Sequence, residues 1–217
     1  MQSYTVEEVR RIAMQCAKKY QSNLVDKHFI IIYKDQSDKK VKALELKFEK
    51  RNYQHLTGIE MIDEDGKVRE HVSELFYSKC LKNQLSKKEI QFKKDGTTNL
   101  KLLALPVMME IHKVTKIAGD FNYSKPYLLA DKMVGNVNFC LGLRLAKDYY
   151  VPVSALLEDI KQLTNMQSQV LAILSKELGS DKYSVIRHVA KGLNLNSIII
   201  PTYIAEKISL DNYIPHI

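Results

Sequence analysis

Apolar residues recur every three or four positions in TVEEVRRIAMQCAKKY (5–20), which puts Val9, Ile12, Ala13, Cys16, Ala17 and Tyr20 on one stripe. Thr5 and Glu8 stand in capping-box spacing, so the pattern predicts a helix that starts there. The period then shortens to two. KALELKFEK alternates Leu44, Leu46 and Phe48 with Glu45, Lys47 and Glu49, and the preceding KHFIIIYKD is a short apolar run with polar ends. These two segments predict neighbouring strands joined by the polar loop DQSDKK. RNYQHLTGI (51–59) closes the second strand. It reads either as a polar strand end that turns at Thr57-Gly58 or as a segment delivering the His55 imidazole to a substrate.

Beyond the turn DEDG, Val68, Val72, Leu75, Phe76 and Leu81 fall at helical spacing, and LKLLALPVMMEIHKV predicts a helix that bends or starts at Pro106, which has no N–H to donate. Residues 116–154 read as an antiparallel meander. With tight turns at Gly135-Asn136 and Lys147-Asp148, Lys132 lies opposite Phe139, and Leu141 opposite Ser154. Lys132 and Ser154 then share a face with Phe139, Leu141, Leu143 and Leu145, while Asp131, Cys140, Gly142 and Arg144 take the other. A site built on Lys132 and Ser154 would sit at the edge of that apolar face, or one hairpin would contain a bulge. Leu156, Ile160, Leu163, Met166, Val170 and Leu174 come next at three or four apart, predicting one long helix ended by Gly179. From there to the C-terminus the pattern is further helix and short apolar pieces, broken at Gly192 and Pro201. The expected organisation is an α+β domain over 1–165, with helices packed on an antiparallel sheet, and a helical C-terminal extension over 166–217.

The 217 residues suffice for one sizeable core. An apolar fraction of 45% and a charged fraction of 27% exclude a disordered or fibrous chain. A net charge of +8 favours an acidic partner, nucleic acid first. Locally the charge is densest around Lys87, Lys88, Lys93, Lys94 and Lys101, offset by Glu89 and Asp95; such a stretch is either a solvated face or a set of phosphate contacts. Cys16, Cys80 and Cys140 are too far apart for a metal-ligand pair and odd in number. His28, His71, His112, His188 and His216 have no partners at ligand spacing and read as structural or surface residues. No apolar run is long enough to span a membrane, and a reducing, cytoplasmic setting is expected.

FEKRNYQHLTGI, DGTTNLKLLALP, LLADKMVGNVNFCLGLRL and DYYVPVSALLEDI, in this order over residues 40–160, resemble the phage-associated member of the Barnase–EndoU–Colicin–RelE superfamily of ribonucleases. The resemblance implies a compact α+β fold that cuts RNA without a cofactor or metal, through a histidine, a basic residue and a hydroxyl residue. By motif these are His55, Lys132 and Ser154, with Arg51, Tyr53, Thr57, Lys87, Lys88, Lys93, Lys94 and Arg144 as candidate substrate contacts. The chain has Val153-Ser154 where the family would carry asparagine-threonine.

An RNA phosphodiester brings its own nucleophile, the 2′-OH, so a base, a cation near the phosphorane oxygens and an acid for the 5′-oxygen complete the chemistry. A histidine with an ordinary pKa of about 6.5 suits either proton role. Each residue also has a structural reading. His55 could be satisfied by backbone groups, Ser154 could cap the expected helix, Lys132 and Arg144 could be solvated charges, and Tyr53, Tyr149 and Tyr150 could be core rather than base-stacking residues. Two other functions remain open at this level. An aromatic-x-His-x-Thr string also resembles the start of ADP-ribosyltransferase toxins, where it would hold NAD, although the downstream acids Glu110 and Glu158 fall in expected helices. A nuclease-like fold without catalysis would bind RNA or a protein partner as an inhibitor.

Overall fold

The computed structural model describes residues 3–211 and Tyr213; His216 lies outside the described residues. Helix α1, Val6–Asn23, begins at the capping box read from Thr5 and Glu8, with both reciprocal bonds formed. It buries Val9, Ala13, Cys16, Ala17 and Tyr20, five of the six stripe residues. Strands β1 (Lys27–Lys34) and β2 (Val41–Lys47) form an antiparallel pair. The run FIIIY in β1 is apolar without alternation because both faces are covered. Phe29, Ile31 and Tyr33 pack under the helices, whereas Ile30 and Ile32 pack under the C-terminal segment.

RNYQHLTG is not a strand end. Its core is α2, Asn52–Thr57, which closes on Gly58 in the left-handed conformation. Strand β3 (Ile59–Met61), helix α3 (Ser73–Leu81) and strand β4 (Ile90–Phe92) come next, and β3 and β4 pair as a small second sheet. Helix α4, Thr97–Met108, starts well before Pro106 and contains it; α5 spans Ile111–Val114. The meander supplies β5 (Ile117–Asp120), β6 (Lys132–Gly135), β7 (Cys140–Ala146) and β8 (Tyr149–Leu156).

The single long helix expected after Ser154 is absent. Its apolar positions are divided among the end of β8, the short helix α6 (Ile160–Leu163) and β9 (Ser168–Glu177). β9 pairs with β1 along its length, so its Val170–Leu174 run is buried on both sides, a pattern in which periodicity does not separate strand from helix. β10 (Val185–Val189) pairs with β9, and α7 is confined to Thr202–Ala205. The segment after residue 166 is therefore mainly strand and irregular chain.

The large sheet runs β1-β2-β8-β7-β6-β5-β9-β10, and the additional β1–β9 pairing closes its first seven strands into a ring. All pairings are antiparallel except β2–β8, which meet only at Leu46 and Tyr150. The α+β class holds, with a mostly antiparallel large sheet and α2 and α4 packed against β8. No described helix is long and apolar enough to cross a membrane, and Cys16, Cys80 and Cys140 are free and buried.

Candidate active site

Beyond Tyr150, β8 has no strand partner on its outer side among the described residues. The end of α2 and the start of α4 occupy that edge. A cleft of about 520 Å³ lies there, lined by His55, Lys93, Lys101, Arg144 and Ser154, with Tyr127 and Leu129 of the β5–β6 loop at its mouth.

The register of the meander explains how Arg144 and Ser154 reach this cleft. The β6–β7 connection is four residues long, with Gly135 opposite Cys140, so Lys132 faces Leu143 rather than Phe139. In the next hairpin Leu143 faces Pro152 and Gly142 faces Ser154, which leaves Val153 as an extra residue. Proline cannot donate to the ladder, and a bulge is where a strand tolerates it. The bulge turns Ser154 away from the face shared by Lys132 and Leu143 and onto the face of Gly142 and Arg144. Lys132 and Ser154 are thus on opposite faces.

His55 sits in the last turn of α2. Tyr53, Leu56 and Thr57 point inward, while its own side chain is exposed to the cleft. Despite that opening, the surrounding protein lowers the imidazole pKa to about 4, with the charges of Lys101 and Lys93 adding to the effect and a backbone hydrogen bond with Val153 opposing it. His55 is neutral at pH 7.

Gly58 makes this arrangement possible. At φ 68° it adopts a conformation that costs other residues about 1–2 kcal/mol, and a Cβ there would stand 3.0 Å from Lys101 Cδ and 3.1 Å from Thr98 Cα. The close approach lets Thr98 Oγ1 donate to the Gly58 carbonyl at 2.6 Å and Lys101 Nζ donate to the His55 carbonyl at 2.9 Å. Lys101 is 9% exposed. Burial, with Lys93 adding and Asp95 opposing, lowers its pKa to about 8, so it remains mainly charged at neutrality. Arg144 is exposed and has no ion-pair partner among the described residues. Ser154 is buried at the cleft wall.

Lys132 lies elsewhere. It pairs with Asp120 and lines a depression of about 170 Å³ with Tyr33 and Ser168. Burial acts to lower its pKa, but the Asp120 hydrogen bond and charge, together with Tyr33 and Tyr150, outweigh it and the net shift is upward. Tyr53 is fully buried and donates to the Ala13 carbonyl at 2.5 Å, within a cluster that includes Tyr20 and Tyr77. Thr57 is also fully buried, donating to the Gln54 carbonyl at 2.7 Å and accepting from Ile59 N–H at 3.1 Å, so it ties off α2. Neither side chain lines the cleft.

Arg51 pairs with Glu49 and lines a different depression beside Tyr149. Lys87 pairs with Glu7, Lys88 lines a third depression next to Glu89, and Lys94 is exposed. Among the proposed contacts, Lys93 and Arg144 alone join His55 and Ser154 in the cleft. Lys101 was visible in the sequence only as one lysine of a basic run. The signal that could have singled it out is its place between Leu100 and Leu102 in an apolar helix, where a charge is costly unless used.

No group of three or more His, Cys, Asp or Glu side chains suited to a metal is found among the described residues. A family model described as phage-Barnase-EndoU-ColicinE5/D-RelE like nuclease 4 matches residues 12–192. No curated protein and no solved structure matches the chain.

Proposed function

Because the chain belongs to the phage-Barnase-EndoU-ColicinE5/D-RelE like nuclease 4 family, we propose that it is an endoribonuclease whose chemistry is centred on the β8 cleft. The observation that carries this reading is the convergence of His55, Lys101, Arg144 and Ser154 on one solvent-open cavity. Neutral His55 takes the proton of the ribose 2′-OH. The 2′-oxygen attacks phosphorus, the bond to the 5′-oxygen breaks, and a 2′,3′-cyclic phosphate and a 5′-hydroxyl end result.

Lys101 and Arg144 offset the negative charge that grows on the phosphorane oxygens, a contribution largest in a site partly shielded from water. Lys101, with a pKa of about 8, also supplies the proton that the departing 5′-oxygen needs. Ser154 donates a hydrogen bond to a non-bridging oxygen. The substrate phosphate itself assists the base, since its negative charge counters Lys93 and Lys101 and raises the His55 pKa towards neutrality. No step calls for a metal ion.

Incubation of the purified chain with end-labelled RNA in EDTA tests this. Cleavage leaving cyclic phosphate ends, reduced about 10²–10⁴-fold in His55→Ala, is the expected result. Cleavage indifferent to the substitution removes His55 from the reaction, and tight RNA binding without turnover replaces the nuclease by an RNA-binding inhibitor.

A further inference from the structure

The mouth of the cleft carries groups that the cleavage chemistry leaves unused. Tyr127 and Leu129, on the loop between β5 and β6, are each 81% exposed, and Leu100 on α4 is 44% exposed. Exposed apolar side chains that gather at one cavity, rather than stand singly, mark a binding surface. Here they border the cavity that holds Lys93, Lys101 and Arg144.

A nucleotide has the complementary form, with an anion at one end and a flat, weakly polar ring at the other. In a duplex the ring faces are hidden by stacking, and a protein meets the backbone and the base edges in the grooves. An unpaired nucleotide presents both parts together. The cavity volume, about 520 Å³, lies within the range of sites that take small organic ligands.

Resting on the ribonuclease reading, we infer that Tyr127 and Leu129 form a stacking platform for an unpaired nucleobase, so that the substrate class is single-stranded RNA. The phosphate next to that base is seated among Lys93, Lys101 and Arg144. The preference for single strands comes from the ring contact, since the cations attract any phosphate backbone.

Binding of 2′-O-methyl RNA, which lacks the nucleophile and is not cut, reads this directly. The probes are a 12-nucleotide single strand, the same strand with its central bases removed, and a hairpin duplex. The unmodified chain should bind the single strand about tenfold more tightly than either other probe. Tyr127→Ala should lose about tenfold on the single strand and little on the abasic strand or duplex, while Tyr127→Phe keeps the preference. The exposure of Tyr127 spares the fold, and circular dichroism confirms that each variant is intact. Equal affinity for all three probes, unmoved by Tyr127→Ala, overturns the platform and leaves the nuclease reading standing. Failure to bind any of the three overturns both.

Discussion

Lys101→Met should make the protein more stable at pH 7 while it disables the site. The ammonium group is held against the His55 carbonyl in the last turn of α2, with its pKa lowered from 10.5 to about 8. At about 1.4 kcal/mol for each tenfold change in proton affinity, this corresponds to roughly 3 kcal/mol against folding while the lysine is charged. Methionine follows the same path through the apolar wall without the charge. It forfeits the bond from Nζ to the His55 carbonyl, worth about 1–2 kcal/mol, so the net gain is about 1–2 kcal/mol.

The sign has a pH signature. The folded lysine releases its proton more readily than the unfolded one, so the penalty is complete below pH 8 and fades as the pH rises to 10.5. Urea unfolding of both chains at pH 7 and pH 10.5 checks this, since titrations common to both cancel in the difference. The wild-type chain should gain about 3 kcal/mol on the variant across that interval. RNA cleavage by the variant should fall about 10²–10³-fold. A stability difference that stays constant between the two pH values would refute the claim that Lys101 is charged and desolvated.

The pH profile of kcat/KM should rise through about 4 as His55 loses its proton and fall through about 8 as Lys101 does; Lys101→Arg should carry the falling limb to higher pH. Lys132→Ala should leave cleavage unchanged and cost about 0–1 kcal/mol of stability through its pair with Asp120, whereas Arg144→Ala should reduce kcat/KM at least tenfold, measured on the same RNA. Gly58→Ala should cost about 1–2 kcal/mol from the left-handed backbone alone. It should also depress activity, because the added methyl meets Lys101 Cδ and Thr98 Cα; urea unfolding and cleavage assays separate the two effects.

Elements whose periodicity comes from one exposed and one buried face are legible in the sequence. The α1 stripe and the β2 alternation are of this kind, and the capping box fixed the start of α1. α2 was not, because a six-residue helix completes fewer than two turns and shows no period. β9 was misread for the opposite reason. Burial on both faces removed the alternation, while residues of three separate elements happened to fall at helical spacing. His55 and Ser154 were identified as chemical candidates from their motifs. The lysine that shares their cleft was not, because Lys101 reaches it by packing between α4 and α2, which no local period shows, and a bulge in the meander sets Lys132 on the opposite face from Ser154.

By itself, the sequence determined the basic charge, the α+β class, the β1–β2 pair and the family to which the chain is related, since these arise from composition, local period and ordered motifs. Tertiary structure decided which cation accompanies the imidazole. Pro152 and the bulge at Val153 rotate Ser154 towards Arg144, and the absent side chain at Gly58 admits Lys101 beneath His55. Lys132 stays with Asp120 on the other face. The physical reason is that a strand's side chains alternate between two faces, so one extra residue in one hairpin reassigns every neighbour beyond it, and that reassignment is fixed only when the strands pair.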